Sequence, residues 1–223
     1  MFRLAGNRRL LGALESLLAL KGAPRGEKCL LLVGLSGRPA VVKAAGREVR
    51  GLGARRRGIA LRGLLARQWV RHRFRGPYLR NTLWERGYAV DTLETAVRWA
   101  TLPRLMEALE GGLRSGLAEI GERVHVFAHV SHAYPDGGSL YVTYLFRLAP
   151  DPGETLRRWH VLKTLASRAI VCAGATISHQ HGVGVDHLPY LPAEKGELGE
   201  AVLRDVLRHF DPLGLMNPGK LVA

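Results

Sequence analysis

The chain has 223 residues, 47% of them apolar, and 33 Lys and Arg against 19 Asp and Glu give a formal net charge of +14. That length and apolar content suffice for a buried core and exclude disordered and collagen-like classes. No apolar run approaches the roughly 20 residues that a bilayer-spanning helix needs, and the Leu-rich stretch from Leu10 to Leu20 is interrupted by Glu15. No secretory leader is recognisable, and Cys29 and Cys172 form neither a CxxC pair nor a framework of small disulfide loops. A reduced, cytoplasmic protein is expected, with peripheral attachment to a membrane left open. Residues 1–80 carry 19 basic and 3 acidic side chains, so the whole charge excess lies in the first third. It reads as a solvated basic face or as a surface for polyanions whose binding falls steeply with salt; specific nucleic-acid recognition is not expected.

Leu10, Leu11, Leu14, Leu17 and Leu18 recur at helical spacing and predict an amphipathic helix ending near Gly22. CLLLVG at 29–34 and the stretch from Pro39 to Ala44 read as two short strands joined by a turn over 36–39, together a hairpin. From Gly46 to Gly58 the Gly- and Arg-rich composition reads as a loop or an unusually polar strand. Helical periodicity returns over 59–75 through Leu61, Leu64, Leu65 and Trp69, broken by Gly76 and Pro77. Residues 91–100 and 102–112 read as consecutive helices separated near Pro103.

The period then changes to two. Val124, Val126, Ala128 and Val130 alternate with His125, Phe127, His129 and Ser131, a strand; YPDGG at 134–138 is a turn, and residues 140–148 form a second strand. A turn over 151–153 leads into a long helix over 154–173, and a closing helix carries Leu198, Val202, Leu203, Val206, Leu207 and Phe210 before Asp211 and Pro212 end it. This order, without regular βαβ alternation, predicts an α+β fold: an antiparallel β-sheet covered by helices on one face. One domain over 1–223 is expected, with 1–58 as its basic part.

Histidine is the concentrated functional element. His125, His129 and His132 lie near the first strand of the later hairpin, and His179, His181 and His187 in the loop after the long helix. Imidazoles suit proton transfer or metal ligation, but this spacing matches no zinc pattern and no metal is expected. Tyr141 and Tyr144 differ by three positions in one strand and so face opposite sides of the sheet, one packed and one available for chemistry. Arg80, just after the break at Gly76 and Pro77, could hold a phosphate or carboxylate with its guanidinium fork.

Five segments occur in order: FRGPYLRN at 74–81, DTLETA at 91–96, HVSHAYPDGGSLY at 129–141, ISHQHGVGVDH at 177–187 and DPLGLMNPGKL at 211–221. The series resembles the C-terminal half of bacterial alkylglycerone-phosphate synthase (alkyldihydroxyacetonephosphate synthase), in the vanillyl-alcohol oxidase group of FAD-linked enzymes. The last segment is shared widely among FAD-linked oxidases. The likeness is good over 59–223 and loose before. It implies the C-terminal cap-domain type of fold, with Tyr141 as the acid/base group, His179 and His181 as proton-transfer groups and Arg80 at a substrate phosphate. His179, Gln180, His181 and Asn217 would line the flavin, and Gln180 would also touch substrate. The implied reaction exchanges the acyl group of acyl-dihydroxyacetone phosphate for a fatty alcohol, without net redox change. Gln180 stands where the family usually has the middle of three histidines, and an amide cannot take a proton. No glycine-rich pyrophosphate loop is recognisable, Gly51 and Gly53 being a weak match. The implied partners are therefore an FAD-binding domain on a separate chain and a phosphate-bearing lipid precursor, with self-association of the chain in isolation. An FAD-linked oxidase of another substrate, such as a 2-hydroxy acid, and a truncated, non-catalytic fragment are the alternatives.

Overall fold

In a computed structural model, the structure describes residues 30–222 apart from Arg62, together with Gly12, Ser16 and Ala19. Of the helix expected over 10–22, only Gly12, Ser16 and Ala19 are described, and all three are helical; its other residues lie outside the described ones. The chain divides into two compact units, the first ending at Pro77 and the second spanning Tyr78–Ala223.

In the first unit the expected hairpin is absent. Residues 30–34 have no regular structure, and Pro39–Arg55 is a helix, α1, where a strand and an Arg-rich loop were expected. Pro39 sits in its first turn, where a missing N–H costs no hydrogen bond. Ala44, Ala45, Arg47, Glu48 and Arg50 then favour helix more than the short Val41-Val42 pair favours a strand. The second helix, α2, runs over Leu64–His72 and continues into a 3-10 turn over Arg73–Arg75.

The second unit opens with α3 (Leu79–Glu85) and the strand β1 (Tyr88–Arg98). This overturns the helix expected over 91–100. Leu93, Ala96, Val97 and Ala100 mimic helical spacing, but Val90, Thr92, Thr95 and Val97 are β-branched, and all eleven residues pair with a long partner strand. Next come α4 (Leu102–Ser115), β2 (His125–Ala133), β3 (Gly137–Arg147), α5 (Pro152–Cys172), the short α6 (Gly184–His187) and α7 (Leu191–Phe210). Asp151 caps α5 by accepting from the N–H groups of Gly153 and Glu154. The three strands are antiparallel in the order β1-β3-β2, so β3 is central and β1 has a free edge.

Period-two alternation loads the two sheet faces differently. Leu93, Leu140, Val142, Tyr144, Phe146 and Val126 form one core with Leu105, Leu109 and Leu113 of α4 and Leu162, Ala166 and Ile170 of α5. The fold is thus α+β with helices over one face, as expected. The opposite face carries Glu94, Tyr141, Thr143, Phe127 and His129 in register across the three strands. A side chain at Gly137 would strike the Val97 carbonyl, which explains a glycine where β3 begins.

Candidate functional site

The free edge of β1 is where the histidine loop attaches. The Thr95 hydroxyl donates to the Thr176 carbonyl (2.6 Å), the Thr176 N–H to Ala96 O (3.0 Å) and the His179 N–H to Glu94 O (3.0 Å). The Glu194 carboxylate accepts from the Ile177 N–H at 2.7 Å, and the Ser178 hydroxyl closes the loop on Gly182 O at 2.7 Å. Gln180, Gly182 and Gly184 all take left-handed backbone, with φ of 61°, 74° and 59°. Glycine adopts that region freely, and the loop turns sharply enough for His179 and His181 to meet the same carboxylate.

That carboxylate is Glu94, only 5% exposed in mid-strand. The Ser131 hydroxyl donates to its Oε1 at 2.5 Å and lies 2.6 Å from the Ser139 hydroxyl. Strict alternation would turn Ser131 and His132 to opposite faces; a bulge between Val130 and His132 brings both to Glu94. His132 Nδ1 and His179 Nδ1 each lie 3.4 Å from Oε1, and His181 Nε2 lies 3.3 Å from Oε2. Burial pushes the Glu94 carboxyl toward the neutral form, but the Ser131 hydroxyl, with Ser139 and the His179 ring close by, outweighs burial and holds the pKa below the ordinary 4.5.

Around this centre lies an aromatic layer. The Tyr141 ring stacks on His129 at 5.4 Å between centroids and meets His181 edge-on at 5.5 Å. The Tyr134 hydroxyl is 3.0 Å from His179 Nε2. The chemistry available is proton transfer between phenols and imidazoles, backed by a buried carboxylate. Glu94, His132 and His179 offer donor atoms within 4.8 Å of one another, the spacing of a metal-ligand set.

A second polar cluster lies on the helix side of the same strand. Asp91 Oδ2 accepts from the Trp159 indole (2.7 Å), the Tyr144 hydroxyl (2.8 Å) and the Lys163 ammonium (3.3 Å). Burial works against the Asp91 charge, but Lys163 and these donors leave its pKa below 3.8. Burial and then the Asp91 charge raise the Tyr144 phenol far above its ordinary range. On α6, burial and the Lys163 charge favour neutral His187.

The structure thus brings together Tyr141, His179 and His181 of the expected site residues. Tyr144 packs in the core, as the three-residue offset required. Gln180 is exposed, so the departure from three histidines falls at the loop position outside the Glu94 cluster. Arg80 is exposed on α3, and Asn217 is exposed in left-handed backbone (φ 51°) after α7; neither makes a hydrogen bond or ion pair to the cluster among the described residues. The sequence patterns do not mark Glu94, Ser139 or Tyr134 as site residues. Glu94 was hidden by the helical reading of its segment, although DTLETA already stood out as a motif.

The chain is thus an α+β domain with helices on one face of its sheet and a carboxylate, imidazoles and phenols on the other. Over residues 1–221 the chain matches the family of FAD linked oxidases, C-terminal domain, and it belongs to that family. It is 28% identical over 196 residues to alkyldihydroxyacetonephosphate synthase of Dictyostelium discoideum, covering 87% of this chain and 31% of that protein. It is 24% identical over 201 residues to an uncharacterized FAD-linked oxidoreductase of Escherichia coli O157:H7, covering 87% of this chain and 41% of that one. A solved alkyldihydroxyacetonephosphate synthase shares its fold, with a TM-score of 0.56 at 22% identity, over 82% of this chain and 30% of the other. The chain therefore spans about a third of the length of the first of these relatives. FAD is the cofactor of the family, and the residues present suit a flat, polar ring system: exposed aromatic and imidazole side chains on an open sheet face, beside a glycine loop with no atom within 4 Å of a Cβ at Gly182 or Gly184. No described helix is long and apolar enough to cross a membrane.

Proposed function

We propose that the chain is the substrate-binding cap of an FAD-dependent enzyme of the alkylglycerone-phosphate synthase type, working with an FAD-binding domain on a separate chain. The observation that carries this reading is Tyr141 on the open sheet face, held between His129 and His181 beside the Glu94 cluster. Tyr141 is the proton-transfer group toward substrate, with His179 and His181 taking and returning protons. Arg80, exposed and without an internal partner among the described residues, offers a two-pronged donor for the phosphate of a lipid precursor. His179, Gln180, His181 and Asn217 hold the flavin side. FAD, when bound, supplies the electron-accepting ring system. A cytoplasmic location with access to membrane lipids fits this substrate class.

The test is purification of the chain from its native cells under mild conditions, reading flavin absorbance and the masses of co-purifying chains. An exchange assay on acyl-dihydroxyacetone phosphate and a fatty alcohol then follows. A yellow complex that releases fatty acid and forms the ether product is expected. A yellow complex that instead oxidises a 2-hydroxy acid would replace the substrate class. A colourless, partnerless chain that binds polyanions in a salt-sensitive way would overturn the proposal.

A further inference from the structure

We propose that Glu94 is a positioning residue that fixes His179 in the Nδ1–H tautomer, so that His179 Nε2 accepts from Tyr134 and makes its hydroxyl a second proton-transfer group beside Tyr141. The inference rests on the reading of this face as a proton-transfer site. The two nitrogens of His179 meet chemically different groups. Nδ1 is buried, makes no formed hydrogen bond, and has Glu94 Oε1 at 3.4 Å, an atom that can only accept. Nε2 has the Tyr134 hydroxyl at 3.0 Å, a group able to donate. A proton on Nε2 would leave the Nδ1 lone pair facing a carboxylate oxygen out of contact with water. A proton on Nδ1 satisfies both ends, and the long Nδ1 contact is of the kind that shortens when substrate completes a site.

Glu94 is itself held from several sides. Its backbone carbonyl accepts the His179 N–H, Ser131 clamps Oε1, which also faces the His179 and His132 rings, and His181 faces Oε2, so the carboxylate is shared among three imidazoles. Ser139 fixes Ser131 and accepts the His132 N–H at 3.0 Å. Tyr134 is anchored through its backbone: its N–H donates to Gly137 O at 2.8 Å, and its carbonyl accepts from the Trp99 indole at 3.1 Å. Tyr134 is 40% exposed, at the solvent side of the cluster. The transfer balances within the chain: the Tyr134 O–H bond breaks, its proton joins Nε2, and the resulting imidazolium faces Glu94 while the phenolate faces outward. The reverse step returns the proton.

The test is long-range proton–nitrogen NMR on the full chain with ¹⁵N-labelled histidine, His179 being assigned by its loss in H179N. A protonated Nδ1 and an unprotonated, hydrogen-bonded Nε2 are expected in neutral His179. Glu94→Gln keeps the side-chain shape but can turn an N–H toward Nδ1, and should move the proton to Nε2; Glu94→Asp, which keeps the charge, should restore Nδ1–H. Tyr134→Phe, at an exposed ring, should leave the tautomer intact and shift only the Nε2 resonance. An Nε2–H tautomer in the unsubstituted chain, or unchanged signals in Glu94→Gln, overturns the positioning role. An unmoved Nε2 resonance in Tyr134→Phe overturns the link to Tyr134. In the flavin-loaded complex, Glu94→Gln and Tyr134→Phe should each lower kcat at least about tenfold with KM little changed, general acid–base groups supplying about 10²–10⁴-fold. The expected tautomers in a chain that supports no turnover would overturn the functional reading and leave the positioning intact.

Discussion

Replacing Asp91 by Asn should destabilise the second unit through Lys163. The ammonium is buried, with its side chain 9% exposed, and Asp91 Oδ2 at 3.3 Å is its counter-charge. Removing one partner of a buried pair costs about 3–5 kcal/mol. Because the Asp91 side chain keeps 29% exposure, we expect the lower end, about 3 kcal/mol, allowing for solvent screening. Lys163→Met keeps the apolar stem and leaves a carboxylate still hydrogen-bonded by Tyr144 and Trp159, so its cost should be about 1–2 kcal/mol. The double variant should cost much less than both singles together, with a coupling of about 2 kcal/mol in a urea-unfolding cycle. A coupling below about 0.5 kcal/mol would refute the pairing. The acid dependence gives an independent check. The folded pKa of Asp91 lies below its ordinary 3.8, so the unfolded chain binds the proton first as the pH falls. The contribution is therefore complete above 3.8 and is lost as the pH drops through the folded value, where the gap between the natural chain and Asp91→Asn should close.

Three further expectations concern the site. Tyr141→Phe should lower turnover of the flavin-loaded complex by about 10²-fold or more while leaving the thermal midpoint of the chain unchanged, and full activity would remove Tyr141 from the chemistry. Arg80→Lys should raise KM for a phosphate-bearing substrate with kcat largely retained, because one ammonium does not reproduce the guanidinium fork; equal kinetics would free Arg80 from that role. Gln180→His should be tolerated, since His is enriched in left-handed backbone, whereas Gln180→Val should cost about 1–2 kcal/mol. Equal unfolding midpoints for the two would show that the φ of 61° at this position is not imposed by the loop.

What was legible in the sequence was whatever local pattern and tertiary packing agreed upon. The hairpin of β2 and β3 shows period-two alternation and a strong turn, and the Leu105, Leu109, Leu113 row of α4 shows helical spacing; both stand where they were expected. The misses have separate physical causes. In β1, alternation is masked because both faces are loaded: Ala89, Leu93 and Thr95 with Asp91 point toward the helices, and Glu94 is buried on the opposite face. A strand buried on both sides loses the polar half of its period, and helix-like spacing of apolar residues then arises by coincidence. In α1 the Val pair suggested a strand, but with no long partner strand among the described residues it cannot offset the helix preference of the Ala-, Arg- and Glu-containing stretch from Lys43 to Arg50. Of the site, Tyr141, His179 and His181 were legible by residue type and motif. Glu94 was not, because a buried carboxylate becomes visible only when a bulge on β2 and a loop far downstream in the chain are placed around it.

The spacing of Asp91 and Glu94 links the two polar clusters. Three positions apart in a strand, they must face opposite sides of the sheet, and each gathers cations or protic groups from elements far away in sequence: Lys163 and Trp159 from α5 for Asp91, His179 and His181 from the loop for Glu94. β1 therefore carries one carboxylate that joins the helical layer to the sheet and another that organises the open face. α5 leads directly into the loop bearing His179, so the segment is constrained at both carboxylates, one inside and one outside the sheet. Loosening Asp91 should then disturb the Glu94 cluster through the end of α5, while loosening Glu94 leaves the α5 contacts in place. That asymmetry would show as shifted His179 ring-nitrogen resonances in folded Asp91→Asn, with the Trp159 indole resonance unchanged in Glu94→Gln; a shifted indole in Glu94→Gln would refute it.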